Sequence, residues 1–167
     1  MDCMSNSSRQ FPRVYILAAC LLAGILTLVC AAFSPAQAAE AWQKTDLMQP
    51  EELAAALNDP KQEKPVIVFV GFDFTFRAAH IPAALNLGPA SEASSLDRLN
   101  RWARSIKEKD RPVVLYCGCC PWWQCPNVRP AFKAAREAGL ERVKVLYLQD
   151  GLMNDWVDKG YPVDKGN

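Results

Sequence analysis

The chain has 167 residues, a formal net charge of +1, and hydrophobic side chains at 50% of positions. That is enough chain for one domain with a real core. The near-neutral balance, with no basic block and no aromatic-interleaved Arg/Lys patch, excludes a nucleic-acid-binding role, and neither repeats nor low-complexity tracts interrupt the sequence.

Residues 1–13 are polar and include Arg9 and Arg13, and the run from Val14 to Phe33 is uncharged and almost wholly apolar. Ser34 and Pro35 follow, then the small-x-small site Ala36-Gln37-Ala38. A basic flank, an apolar run and such a site read as a secretory signal peptide over residues 1–38, leaving a domain of residues 39–167. The run is also long enough to cross a bilayer, so an uncleaved anchor helix is the alternative. Leu17-Ala18-Ala19-Cys20 looks like a lipoprotein box, but too few apolar residues precede it. Either way the arginines stay inside and the domain is exported, periplasmic or extracytoplasmic, meeting membrane only through an uncleaved segment. Cys3, Cys20 and Cys30 fall in this leader. The domain keeps Cys117, Cys119, Cys120 and Cys125, an even number in an oxidising compartment.

Pro50-Glu51-Glu52-Leu53 opens a short helix, with proline at its first position and two glutamates near the positive end of its dipole. It ends near Asn58-Asp59-Pro60. Val66 to Val70 is a continuous apolar run, as expected of a buried parallel strand, and Gly71 ends it. The stretch from Phe72 to Leu87 holds a turn at Pro82 and a short strand over Ala84 to Leu87. His80, the single histidine, reads as structural, because no second histidine or carboxylate partner accompanies it. Ser94-Ser95-Leu96-Asp97 begins a helix with Leu96, Leu99, Ala103 and Ile106 on its apolar face. Lys107 to Asp110 is its solvated end.

Pro112 to Tyr116 is a β-branched strand that ends at Cys117. The loop Gly118-Cys119-Cys120-Pro121-Trp122-Trp123-Gln124-Cys125-Pro126 follows. Asn127 then opens a helix with Val128, Ala131, Phe132, Ala135 and Ala138 on one face. Strand, loop and helix in that order point to a site at the carboxyl end of a strand, facing a helix N-terminus. A thiolate is the nucleophilic form of cysteine, and loop amides plus a helix dipole favour it. Cys117 is the position expected to receive both, with a lowered pKa; the plainer alternative is a small apolar residue closing a buried strand. Beyond Gly139, Val143 to Leu148 is another strand, and Leu152, Trp156 and Val157 form the inner face of a last helix closed by Gly160 and Pro162. The order is βα units around a small parallel sheet flanked by helices, an α/β fold.

Four segments, spanning roughly residues 46 to 163, resemble the rhodanese-like domain family. Ala79-His80-Ile81-Pro82-Ala83-Ala84-Leu85-Asn86 is similar to its G-H-I-P-G-A-x-N stretch, and Pro112 to Cys117 to its P-V-V-x-Y-C strand. Ala138-Gly139-Leu140 with Val143 to Leu148 resembles A-G-F-x-x-V-x-x-L. Asp150-Gly151 with Trp156, Gly160, Pro162 and Val163 resembles G-G-x-x-x-W-x-x-x-G-x-P-V. The resemblance implies a thiosulfate-sulfurtransferase-like enzyme without cofactor or metal. Cys117 would take the outer sulfur of a thiosulfate- or polysulfide-type donor as a persulfide and pass it to a thiol or cyanide acceptor. Backbone amides of Gly118 to Trp123 would cradle the anion, so Gly118, Cys119, Cys120, Pro121, Trp122 and Trp123 are substrate-binding candidates, and Arg129 is a candidate for holding an anionic substrate. Two departures stand out. The family's Asp-x-Arg is missing where the chain reads Phe69-Val70-Gly71, and the active loop is longer, with three extra cysteines, two prolines and two tryptophans. No surface signal names a protein partner.

Other functions fit the same loop. Cys117-Gly118-Cys119-Cys120 also spells C-x-x-C, so redox work on this scaffold stays open, with Cys120 or Cys125 resolving a persulfide, sulfenate or mixed disulfide at Cys117. A thioredoxin fold is disfavoured: too little chain follows the motif, and no proline precedes the next strand. Adjacent Cys119 and Cys120 make a poor disulfide. Four soft thiolates could hold Cu(I) or zinc, although zinc sites draw ligands from two separated knuckles and not from one loop. A binding domain whose cysteines serve only as bridges is the remaining reading.

Overall fold

The computed structural model describes residues 41–166. The signal or anchor segment expected over residues 1–38 lies outside them. Among the described residues no helix is long and apolar enough to cross a membrane.

Five short strands pair in parallel: β1 (Leu47–Met48), β2 (Val66–Phe69), β3 (Leu85–Asn86), β4 (Val113–Tyr116) and β5 (Val143–Leu146), in the order β1-β5-β4-β2-β3. Four helices connect them: α1 (Pro50–Asn58), α2 (Asp73–Ala78), α3 (Ala93–Ser105) and α4 (Val128–Glu137). The apolar runs foreseen as buried strands are the three central ones, and β4 lies in the middle with every residue buried. Parallel sheets are covered on both faces, which is why these runs do not alternate with polar residues.

The period of two still sorts side chains between the faces. Val113, Leu115 and Cys117 pack into one core layer with Leu99 and Ala103 of α3 and Val128, Ala131 and Ala135 of α4. Val114 and Tyr116 enter the opposite layer with Leu53 of α1, Phe76 of α2 and Trp156. Burying such a branched or aromatic side chain contributes roughly 1.5–3 kcal/mol each. In the second layer Tyr116 Oη accepts the Ile81 N–H at 3.0 Å. Burial pushes its phenol well above the usual range. That bond ties the His80-Ile81-Pro82 turn to the central strand.

Three elements differ from the sequence expectation. Residues 73–78 form α2, where Phe-Asp-Phe-Thr-Phe gives no helical stripe. Tertiary contacts hold it: Phe76 meets Phe69 at 5.3 Å between ring centres, Asp73 pairs with Arg77 one turn on, and Asn86 Nδ2 donates to Asp73 Oδ1 at 2.9 Å. The two-residue β1 is too short to show a period. The last helix is a single π-turn (Met153–Val157), with Asp158 N–H bonded to Met153 O at 2.9 Å. Leu152 and Trp156 are buried, as their spacing required, and Trp156 Nε1–H donates to Pro162 O at 2.8 Å.

Candidate functional site

Because Cys117 continues the alternation of β4, its side chain points toward the α4 side of the sheet, and only 2% of the residue is exposed. Gly118 turns the chain there with φ +73°, and a Cβ at this position would lie 2.7 Å from Leu152 Cβ. Only glycine fits such a conformation in so little space. The loop is then clamped to the turn after β5: Leu152 N–H donates to Gly118 O at 3.1 Å and Trp122 N–H to Gln149 O at 3.0 Å. The reversal at Gly118 brings the next thiol back, so Cys117 Sγ and Cys119 Sγ are 2.8 Å apart, with Cys120 Sγ 3.7 Å from Cys119 Sγ. All four thiols are free.

The expectation of a lowered pKa at Cys117 is not met. Its thiol is pushed up to about 12, first by the hydrogen bond to the Cys119 sulfur, with burial adding to it; the bond with Cys125 and the Cys119 N–H oppose the rise. Of the amides expected to form a cradle, Gly118 to Trp123, the Trp122 N–H bonds Gln149 O and the Cys119 N–H bonds Cys117. The α4 amides serve a different sulfur: Asn127 and Val128 N–H groups bond to Cys125. The loop delivers Cys125, not Cys117, to the helix start. Even so, its bond to Cys117 and its burial push the Cys125 thiol up, and burial raises that of Cys120.

Beside Cys117 lies a cleft of about 10 Å³, bordered by Gly118, Cys120, Trp122, Cys125, Val128, Leu146 and Leu148. That is room for roughly one water-sized atom. Gly118, Cys120, Trp122 and Cys125 therefore gather around Cys117. Trp122 is held between Trp42 and Tyr147, with ring centres at 5.3 and 5.1 Å. Trp123 is corrected: it is 77% exposed and does not reach the cleft. Pro121 caps the 3-10 turn of residues Trp122–Gln124 and does not border the cleft. Arg129 lies with its guanidinium 4.5 Å from the centre of the Trp42 ring, again outside the cleft lining. His80 is buried; its Nδ1 is 2.8 Å from Phe76 O, and its ring stacks on Phe76 at 3.8 Å. Among the described residues no group of three or more His, Cys, Asp or Glu side chains is arranged to hold a metal ion.

Two residues were not foreseen. Asn127 is fully buried; its Nδ2 donates to Cys117 Sγ at 3.4 Å and its Oδ1 accepts the Ser91 N–H at 2.9 Å. One amide thus fixes the thiol and the chain entering α3. An asparagine just before a helix reads as an ordinary cap, which hides this role. Gly71 lies against the thiol as well: a Cβ there would be 3.0 Å from Cys117 Sγ and 2.6 Å from Phe69 Cζ. Its only signal was its place at a strand end.

The profile of the rhodanese-like domain family matches residues 49–159, more than half of the chain. The crystal structure of the Alr3790 protein from Anabaena sp. is 24% identical over 71% of this chain and 82% of that one, with a TM-score of 0.53. The solution structure of that protein's rhodanese-like domain is 24% identical, covering 72% and 79%, with a TM-score of 0.52. The BH2092 protein of Bacillus halodurans is 19% identical, covering 72% and 77%, with a TM-score of 0.56. At these identities the likeness establishes the fold. No curated protein matches the chain.

Proposed function

The chain belongs to the rhodanese-like domain family, and from that premise we propose that it is an exported sulfurtransferase that carries sulfane sulfur on Cys117. One observation supports this above the others: Cys117 ends the central strand and faces a cleft with room for about one more atom. Cys117 Sγ attacks the outer sulfur of a thiosulfate- or polysulfide-type donor. With thiosulfate, the bond to the sulfonate sulfur breaks, sulfite departs with the electron pair and the thiol proton, and a persulfide anion remains on Cys117. A thiol or cyanide acceptor then takes the outer sulfur and restores the thiol. Because Cys117 is buried, the donor reaches it when the loop of residues 118–126 swings away from its clamp on the Gln149–Leu152 turn. Asn127 Nδ2, the Cys119 N–H and the Cys125 thiol are the donors that steady the anion.

Intact-mass measurement on the reduced full chain tests this. After exposure to thiosulfate or inorganic polysulfide, wild type takes up one sulfur, read as added mass or as released sulfide, and Cys117→Ser shows neither. Equal uptake by Cys117→Ser, or neither added mass nor released sulfide in wild type with either donor, overturns the proposal.

A further inference from the structure

Cys119 touches Cys117 Sγ at 2.8 Å, yet it does not border the cleft, whereas Cys120 and Cys125 do, so that the bond of Cys125 to the Cys117 sulfur comes from the cleft side. This difference sorts the three neighbouring thiols by what they can attack. Displacement at a disulfide-type sulfur is in line, with nucleophile and leaving sulfur on opposite sides of the sulfur attacked. On a persulfide at Cys117 the outer sulfur occupies the cleft, since that is where the free room lies. Cys120 and Cys125 then meet the outer sulfur. Cys119 meets the inner one, from outside the cleft wall.

Resting on the persulfide reading above, we propose that Cys119 is the resolving cysteine, making the chain a persulfide reductase that releases sulfide through a Cys117–Cys119 disulfide. The Cys119 sulfur attacks Cys117 Sγ and the persulfide S–S bond breaks. The outer sulfur leaves with the electron pair and the Cys119 proton as hydrosulfide. The two cysteine sulfurs are oxidised to the disulfide, and the sulfane sulfur is reduced by the same two electrons. A small or protein dithiol then reduces the disulfide for another turnover.

The chain is built for this contact. Residues two apart lie within the Cα separation that a disulfide tolerates, unlike the adjacent Cys119-Cys120 pair. Gly118, with φ +73°, supplies the reversal that makes the two thiols face each other. Closing the 2.8 Å contact to a bond of about 2.05 Å needs a shift of less than about 1 Å. The clamp at Gly118 O and Trp122 N–H holds the loop while this happens.

The test uses the reduced full chain, loaded with thiosulfate or inorganic polysulfide, rapidly desalted, and followed by trapping of released sulfide and by peptide mapping. Wild type releases one sulfide per bound sulfur and ends with Cys117 linked to Cys119. Cys119→Ser takes up sulfur but releases sulfide at least about tenfold more slowly, keeping the added mass. Cys119→Ala with a native far-UV spectrum repeats the result if the serine variant folds poorly. Release at the wild-type rate from Cys119→Ser, or a link mapped from Cys117 to Cys120 or Cys125, overturns this assignment while leaving the persulfide intact. If Cys119→Ser takes up no sulfur from either donor and wild type releases no sulfide, the sulfurtransferase reading itself fails and this one falls with it.

Discussion

The two ends of the parallel sheet differ in a way that cavity size alone would misreport. At the amino ends of β2 and β3 lies a groove of about 750 Å³, lined by Leu57, Pro82, Ala83, Trp102 and Arg111 among others. At the carboxyl end of β4 the cleft beside Cys117 holds about 10 Å³. Among the described residues the large groove is lined by no thiol, hydroxyl or imidazole, and one of its cations is already engaged: Lys64 Nζ donates to the carbonyls of Ala56, Leu57 and Asp59 at 2.8, 2.8 and 2.6 Å, closing the C-terminus of α1. The small cleft has four sulfurs in or beside it, and a buried amide is aimed at one of them. Open parallel α/β sheets place their ligands at the carboxyl ends of strands, and here the chemistry follows that rule while the volume does not.

Substitutions at the two ends sharpen the contrast. The largest effect is expected at Asn127. Asn127→Ala leaves the Ser91 N–H without its acceptor and removes a donor from Cys117, so the fold loses about 2 kcal/mol. Chemical denaturation measures this as a lower midpoint at unchanged slope. An unaltered midpoint would mean that the buried amide does not couple α3 to the cysteine loop. Gly71→Ala comes next. The new methyl group crowds Phe69 and the Cys117 sulfur, and sulfur uptake slows by about tenfold, about 1.4 kcal/mol in the barrier. Mass-resolved uptake kinetics would show it, and wild-type kinetics would remove Gly71 from the site.

The smallest effect belongs to the amino end. Ala83 has φ +60°, a left-handed conformation that a side chain disfavours, at the place where the related motif has glycine. Ala83→Gly relieves about 1 kcal/mol of that strain and raises the melting temperature by a few degrees, with sulfur uptake unchanged. A change in uptake there would join the two ends functionally and break the comparison.

Much of this architecture was legible before any coordinates. Val66 to Val70, Pro112 to Tyr116 and Val143 to Leu148 stand out as apolar runs because each is a local pattern, and they became the three central strands. Leu99 with Ala103, and Val128 with Ala131 and Ala135, give helical stripes for the same reason. The α2 helix was hidden: it is six residues long and depends on Phe69 and Asn86, which belong to other elements. At the site, Cys117 was readable from its place at a strand end. Its partners were not, since Gly71 reaches it from β2's exit and Asn127 from the far side of the loop.

The residue order by itself determined the βα sequence, the face toward which Cys117 points, and the crowding of four thiols after one strand. Those follow from a period of two and from adjacency along the chain. Only the tertiary structure decided which sulfur lies against which, that α4's first amides serve Cys125, and that the surroundings of Cys117 push its thiol up and not down. The path of the loop is set by bonds to the turn at Gln149 and Leu152, a segment that no spacing within the loop can reveal.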